Sequence, residues 1–164
     1  MASSRKHGAS SKTSAPIFNP STPFVHNLGT LHAGQQIIIS GMPRSNASRF
    51  NISFDNSPNG PGSSDTAFVY DVRFNFGTDK QVIVRNSQQY GCWGHEERAI
   101  PHFPFQTEKF FEITVNIFRG GFRVCVNSGD VMEFKHRYKE QPLPKFCYLR
   151  IDGDVQLSKV AFKQ

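Results

Sequence analysis

Residues 110–126 read FFEITVNIFRGGFRVCV and predict two neighbouring strands joined by a tight turn. Large apolar residues occupy every second position of the first half and so share one face of a half-buried strand: Phe111, Ile113, Val115 and Ile117. The chain then turns at Gly120-Gly121, and Phe122, Val124 and Val126 repeat the alternation. This stretch therefore predicts an antiparallel hairpin with one apolar face.

The same two-residue period recurs along most of the chain. Further strands are predicted over residues 37–39, 49–54, 66–74, 81–85, 131–137, 147–151 and 155–162. Between two of them, residues 56–64 form a long turn region that is dense in Asn, Pro and Gly. No window has the apolar spacing of an amphipathic helix. About ten short strands must cover two apolar faces, which predicts an all-β fold, an antiparallel two-sheet β-sandwich.

The length of 164 residues suits one domain. Residues 1–20 are rich in Ser, Lys, Ala and Gly and are expected to be a flexible tail, whereas residues 21–164 are expected to form the domain. The net charge of +6 lies partly in the tail, and no later stretch groups five or six Lys or Arg residues. Nucleic acid is therefore not favoured as a partner. The chain has no apolar run as long as a membrane-spanning helix needs, so insertion into a membrane is not expected.

The three cysteines indicate the compartment. Their number is odd and they lack CxxC spacing, which favours free thiols in a reducing environment: Cys92, Cys125 and Cys147. No apolar run follows the first basic residues, so the expected location is cytoplasmic, with any secretion bypassing a signal peptide. The sequons at Asn46 and Asn51 are accordingly expected to stay unmodified.

A group of polar residues between positions 69 and 98 does not suit an ordinary half-buried strand. Val69, Asp71 and Arg73 project to one side of their strand, because strand side chains alternate between faces. If the following segments are its neighbours, one sheet face also carries Asn86, Trp93, Glu96 and Arg98. Carboxylates and guanidinium groups that alternate in this way fix one another through charge-assisted hydrogen bonds. Such a row can accept from and donate to sugar hydroxyls, and an indole ring offers an apolar plate to a pyranose.

A structural interpretation competes with this one. A lone Trp in a β protein is more often part of the core, and a row of Arg and Glu is usually a solvated face of little energetic weight. The glycines on either side of Trp93, Gly91 and Gly94, favour an exposed turn over a core position. The joint arrangement therefore favours a carbohydrate-binding face.

Several motifs resemble those of the galectin family. The segment Trp93-Gly-His-Glu-Glu-Arg98 resembles the WGxExR signature, Val82-Ile-Val-Arg-Asn86 is similar to the strand before it, and His102-Phe-Pro-Phe-Gln106 to the segment after it. The resemblance extends over about residues 22 to 163. It implies a jelly-roll-like sandwich that holds a β-galactoside on one sheet. It also implies stacking of the sugar on Trp93 and hydrogen bonds to Arg73, Asn86, Glu96 and Arg98.

One strand departs from the family pattern. Where galectins have HxNxR, this chain has Val69-Tyr-Asp71-Val-Arg73. The family's His binds the axial hydroxyl that distinguishes galactose from glucose, and Val69 cannot form that hydrogen bond. Asp71 accepts but does not donate when ionised, and it is expected to pair with Arg73. The sequence thus predicts a lectin with altered or weakened galactose specificity.

Two alternatives remain open at this point. The chain could be a degenerate galectin-fold interaction domain with little sugar affinity, or its basic surface and tail could bind an anionic polymer. The oligomeric state is also open, with a homodimer among the alternatives.

Enzymatic interpretations fail on spacing. Glu96 and Glu97 are adjacent, so in a strand they point to opposite faces and cannot act as the paired carboxylates of a glycosidase. The six histidines lack the HxH or HExxH spacing of a metal site. No Gly-rich phosphate loop is present. The sequence therefore predicts a non-enzymatic protein without metal or cofactor.

Overall fold

The computed structural model describes residues 14–60, 64–138 and 141–164. Within these ranges the regular elements are β-strands and one 3₁₀ turn at Leu143–Lys145. The strands are β1 Ile17–Phe18, β2 Phe24–Asn27, β3 Gln36–Pro43, β4 Arg49–Asp55, β5 Thr66–Phe76, β6 Asp79–Gln89, β7 Cys92–Trp93, β8 Phe111–Phe118, β9 Gly121–Val126, β10 Asp130–Lys135, β11 Tyr148–Gly153 and β12 Val155–Lys163. None of the helical turns in the described ranges is long and apolar enough to cross a membrane.

The strands form two six-stranded antiparallel sheets. One, called the site sheet below, has the order β2-β11-β4-β5-β6-β7, and the other, called the back sheet, has the order β1-β12-β3-β8-β9-β10. The predicted all-β, antiparallel two-sheet sandwich is therefore confirmed. Strands β1, β2 and β7 were not predicted, because runs of two to four residues show no measurable period.

The N-terminal boundary differs in part from the sequence prediction. Ile17 and Phe18 pair with Val160 and Lys159 of β12, so the back sheet extends into the segment expected to be a tail. The first part of that predicted tail, residues 1–13, lies outside the described residues.

The core lies between the two sheets and is rich in phenylalanine. The four alternating residues of β8 are at most 3% exposed, as their period predicts: Phe111, Ile113, Val115 and Ile117. Phe68 of the site sheet stacks on Phe122 and Phe134 of the back sheet, with ring centroids 4.8 Å apart in both pairs. These contacts join the sheets face to face.

The side chains of β5 alternate between the core and the outward face of the site sheet. Because Phe68, Tyr70 and Val72 of β5 are buried in the core, the intervening side chains of that strand point away from it. Register then aligns Asp71 with Asn51 of β4 and with Val84 of β6. The outward face of the site sheet is thus ordered in rows that cross β4, β5 and β6.

Candidate functional site

An open cavity of about 480 Å³ lies on the outward face of the site sheet. Five of the six residues predicted for the site line it: Asp71, Arg73, Asn86, Trp93 and Glu96. The sixth, Arg98, reaches the same group through a hydrogen bond from Nε to Glu96 Oε2 at 2.7 Å. The wall of the cavity on β4, which consists of Arg49 and Asn51, was not predicted.

Trp93 is presented by a tight hairpin between β6 and β7. Gln89 pairs with Cys92 across a two-residue turn, Tyr90-Gly91, in which both residues have positive φ, and Gln88 pairs with Trp93 one step further along. The Asp65 carboxylate accepts hydrogen bonds from both turn amides, at 3.0 and 3.2 Å. The indole side of this hairpin stays open, and Trp93 is 47% exposed. Trp93 is therefore a surface residue and not a core anchor.

Side-chain hydrogen bonds from Asn86 and Arg137 fix the segment that follows Trp93. Asn86 donates from Nδ2 to the Gly94 carbonyl at 2.9 Å, and its Oδ1 accepts from Arg137 Nη1 at 3.0 Å. Arg137 also donates from Nη2 to the His95 carbonyl at 2.8 Å and to Glu97 Oε2 at 2.7 Å. A Cβ on Gly94 would lie 2.9 Å from Arg137 Nη1, so a side chain at this position would displace the guanidinium from its present contacts.

A chain of alternating charges runs along one side of the cavity. Arg73 donates from Nε to Asp71 Oδ2 at 2.9 Å and from Nη1 to Asp79 Oδ2 at 2.6 Å. Asp79 also accepts from Arg98 at 3.0 and 3.2 Å. Each cation thus has two carboxylate partners, and the side chains are fixed before any ligand arrives. The expected Asp71–Arg73 pair is present in the structure.

Burial and hydrogen bonding shift the pKa values of three charged side chains in this row, Asp71, Asp79 and Arg98. Burial raises the pKa of Asp71, although hydrogen bonding from Arg73 and the charge of Arg49 oppose it. Asp71 Oδ1 is buried and lacks a hydrogen-bond partner among the described residues, which is consistent with that direction. Hydrogen bonds from Arg98 and Arg73 lower the pKa of Asp79. Hydrogen bonds to Asp79 and Glu96 raise the pKa of Arg98, which remains a permanent cation.

The floor of the cavity is apolar at the first position of the Val69-Tyr-Asp71-Val-Arg73 strand segment. Val69 is 8% exposed and lines the cavity next to Val84, which is 3% exposed. Register places Val69 directly opposite Asn86. At this point the site offers methyl groups and no hydrogen-bond donor.

The two adjacent glutamates serve different networks. Glu96 pairs with Arg98 on the cavity side, whereas Glu97 pairs with Arg137. They therefore do not form a pair of opposed carboxylates across a substrate. Within the described ranges, no group of three His, Cys, Asp or Glu side chains could hold a metal ion.

A family model described as galactoside-binding lectin matches residues 23–162 of the chain. The chain belongs to the galectin family. Galectins are lectins and not enzymes, so the expectation of a non-enzymatic protein is confirmed at the level of the family.

Similar proteins come from several animals. Galectin-4 of Bos taurus is 36% identical over 148 residues, which cover 90% of this chain and 42% of the relative. Galectin-3 of Canis lupus familiaris is 35% identical over 126 residues, 77% of this chain and 39% of the relative. The crystal structure of Caenorhabditis elegans galectin LEC-6 superposes with a TM-score of 0.74 at 25% identity, covering 91% of this chain and 96% of that one. This galectin spans less than half the length of the curated relatives that it matches.

Three residues that shape the site were not predicted from the sequence. Asp79 joins two cations, Arg137 supports the Trp93 segment, and Arg49 closes the cavity on β4. Asp79 is the first residue of β6 and follows the Gly77-Thr78 turn, where acidic residues are common. Only strand register and long-range packing bring these side chains to the residues that line the cavity.

Proposed function

We propose that this galectin binds a β-galactoside-containing or related glycan in the cavity of the site sheet, with weakened or altered galactose specificity. The observation that carries the proposal is the half-exposed Trp93 at one end of a cavity whose charged side chains are already fixed. A pyranose ring on the indole face would meet Glu96 as acceptor and Arg73 and Arg98 as donors. Such pre-ordered groups lower the entropic cost of binding a flexible sugar.

The apolar floor supports the altered specificity. In the family pattern the axial hydroxyl of galactose has a histidine partner, and here Val69 occupies that position. Losing one good hydrogen bond makes the binding free energy less favourable by about 0.5–1.5 kcal/mol. The Asp71–Arg73 pair at 2.9 Å engages a second donor that a sugar would otherwise use. Together the two changes would weaken lactose binding by about 10- to 100-fold.

We propose that the protein is made in a reducing compartment, where its thiols stay free and its sequons stay unmodified. Cys92, Cys125 and Cys147 are free in the structure, which supports this location. Asn51 lines the cavity, so a glycan attached to its sequon would obstruct the site. Mass spectrometry of protein from cells and medium tests both points, since an attached glycan or a disulfide in either fraction would contradict them.

A glycan array followed by calorimetry of the best ligands tests the function. The expected result is binding to a set of neutral or substituted galactosides, with free lactose among the weaker ligands. Binding must disappear in Trp93→Ala while the circular dichroism spectrum is retained. Retained affinity in that variant, or ligands confined to unrelated anionic polymers, would overturn the proposal.

A degenerate galectin-fold interaction domain is the second candidate. The observation in its favour is that Asn86 already uses both ends of its amide, towards Gly94 and Arg137. This candidate predicts that the protein binds no glycan on the array although the domain is folded. The array therefore separates the two candidates directly.

A further inference from the structure

The turn that presents Trp93 is unfavourable for one of the two residues that form it. Tyr90 and Gly91 have φ of 52° and 77°, so both lie in the left-handed region. Two-residue turns of this kind favour Asn-Gly or Asp-Gly, because the left-handed backbone is costly for most residues that carry a Cβ. Strand β7 adds two residues to the hairpin, at the edge of the site sheet. The hairpin therefore depends on contacts from outside it.

Asp65, the residue that precedes β5, supplies such contacts. Its carboxylate spans the turn, because Oδ2 accepts from the Tyr90 amide and Oδ1 accepts from the Gly91 amide. Gln141 Nε2 donates to the same Oδ2 at 2.6 Å. Although partial burial opposes the shift, the hydrogen bonds from Gln141 and the two turn amides lower the pKa of Asp65. An ionised carboxylate with three donors is a strong anchor for the turn.

Asp65 is itself fixed to the site sheet. Its amide donates to Asn56 Oδ1, and its carbonyl accepts from the Asn56 amide, each at 3.0 Å. The next residue, Thr66, pairs with Gln88 of β6, and Gln88 pairs with Trp93 of β7. The Asp65 carboxylate thus connects the beginning of β5, which forms part of the cavity floor, to the tip of the hairpin.

We infer that Asp65 is a positioning residue for glycan binding, which holds the Tyr90-Gly91 turn and through it the ring of Trp93. Asp65 does not line the cavity, so its effect on affinity is transmitted through the hairpin. Arg137 fixes the segment that follows Trp93, whereas Asp65 fixes the turn that precedes it. The inference rests on the proposed function for the sugar contact, but the order of Trp93 is measurable without a sugar.

Asp65→Asn tests the inference with a nearly isosteric change. The side-chain amide places N–H donors against one of the two turn amides, so the turn loses a hydrogen bond and gains a repulsive contact. We expect lower fluorescence anisotropy and stronger acrylamide quenching of Trp93, the sole tryptophan. We also expect about three- to tenfold weaker binding of N-acetyllactosamine in frontal affinity chromatography, which resolves weak binding. Asp130→Asn is the charge-matched control, because Asp130 begins β10 on the back sheet.

A rescue variant separates the turn from the other contacts of Asp65. Tyr90→Asn gives the turn the Asn-Gly sequence, which favours two positive φ values without outside support. The loss caused by Asp65→Asn should therefore be smaller in the Tyr90→Asn background than in wild type. Comparison with Tyr90→Asn alone allows for the contacts that Tyr90 itself makes. Gln141→Ala is a milder second variant, because it removes one donor from the carboxylate and leaves both turn amides paired.

The outcomes separate this inference from the proposed function. Unchanged Trp93 anisotropy in folded Asp65→Asn would overturn the inference, as would an equal loss of affinity in Asp130→Asn. Lower anisotropy with unchanged affinity would overturn the role in binding, and an undiminished loss in the Tyr90→Asn background would show that Asp65 does not act through the turn. Circular dichroism verifies folding, and if Asp65→Asn is unfolded, unchanged anisotropy in Gln141→Ala would overturn the inference. If wild type binds no sugar, the proposed function fails, while the anisotropy still decides whether Asp65 holds Trp93.

Discussion

Arg137 Nη1 lies 3.0 Å from Asn86 Oδ1, and this contact joins the segment that follows β10 to β6. The same guanidinium holds the His95 carbonyl and the Glu97 carboxylate, and its carbon lies 4.5 Å from the Phe134 ring centroid. One side chain from a distant part of the sequence therefore holds the Trp93 segment against β6. It does so without lining the sugar-sized cavity.

Arg137→Lys should weaken glycan binding by several-fold, although the charge is retained. A lysine cannot reproduce the fork towards Asn86, His95 and Glu97, so the segment after Trp93 becomes less ordered. Because Trp93 is the sole tryptophan, its fluorescence anisotropy reports that loss of order directly. Arg123→Lys on the back sheet is the control. An unchanged affinity together with unchanged anisotropy would contradict the positioning role.

Trp93→Ala should abolish sugar binding and leave stability within about 1 kcal/mol of wild type, because the ring is 47% exposed. Phe68→Ala is the contrasting variant. Its ring is 1% exposed and stacks on two phenylalanines, so its loss should destabilise the domain by about 3–5 kcal/mol. Urea unfolding followed by circular dichroism measures both. A large loss of stability in Trp93→Ala would show that the ring supports the fold.

The buried carboxyl of Asp55 should make stability depend on pH. Burial raises the pKa of Asp55 to about 6, although hydrogen bonds from Thr66 and Ser53 and the charge of Arg150 oppose the rise. In the unfolded chain the ordinary value is about 3.9. Between these values the folded state binds the proton and the unfolded state does not, so the free energy of unfolding falls as pH rises from about 4 to 6. The contribution of this group is of the order of 3 kcal/mol at most.

Asp55→Asn isolates this contribution from that of other titrating groups. Burial lowers the pKa of His26 and His136, and these groups titrate equally in both proteins. We expect the variant to gain stability relative to wild type as pH rises through this window. Chemical unfolding at pH 4, 5, 6 and 7 measures the difference. A difference that is constant across this range would contradict the raised pKa.

Local spacing predicted the part of the site that lies on one segment. Trp93, Glu96 and Arg98 are within six residues of one another, and Val69, Asp71 and Arg73 follow from the two-residue period of one strand. Arg49 and Asp79 depend on how β4, β5 and β6 align, and a shift of one residue would turn their side chains to the core. Arg137 is 51 residues from Asn86, and no pattern in the sequence connects them. The fold was predictable because apolar alternation is repeated in most strands.

The departure at Val69 and Asp71 permits the most specific prediction, which is a gain of binding. Val69 lies opposite Asn86 and offers no donor, and Asp71 Oδ2 engages Nε of Arg73 at 2.9 Å. Val69→His combined with Asp71→Asn restores the HxNxR pattern at the cavity floor. The double variant should bind lactose more tightly than wild type by about 1–3 kcal/mol, the sum of two recovered hydrogen bonds.

Calorimetry of wild type, both single variants and the double variant in one buffer measures this gain. Val25→His, an exposed valine on β2 at the edge of the same sheet, is the control for adding a histidine. Asp71→Asn also removes a counter-charge that faces Arg49 and Arg73, so circular dichroism verifies that each variant is folded. Tight lactose binding by wild type would mean that another residue binds the axial hydroxyl. A folded double variant without any gain would mean that the cavity is closed to galactose for another reason, and it would favour the interaction-domain alternative.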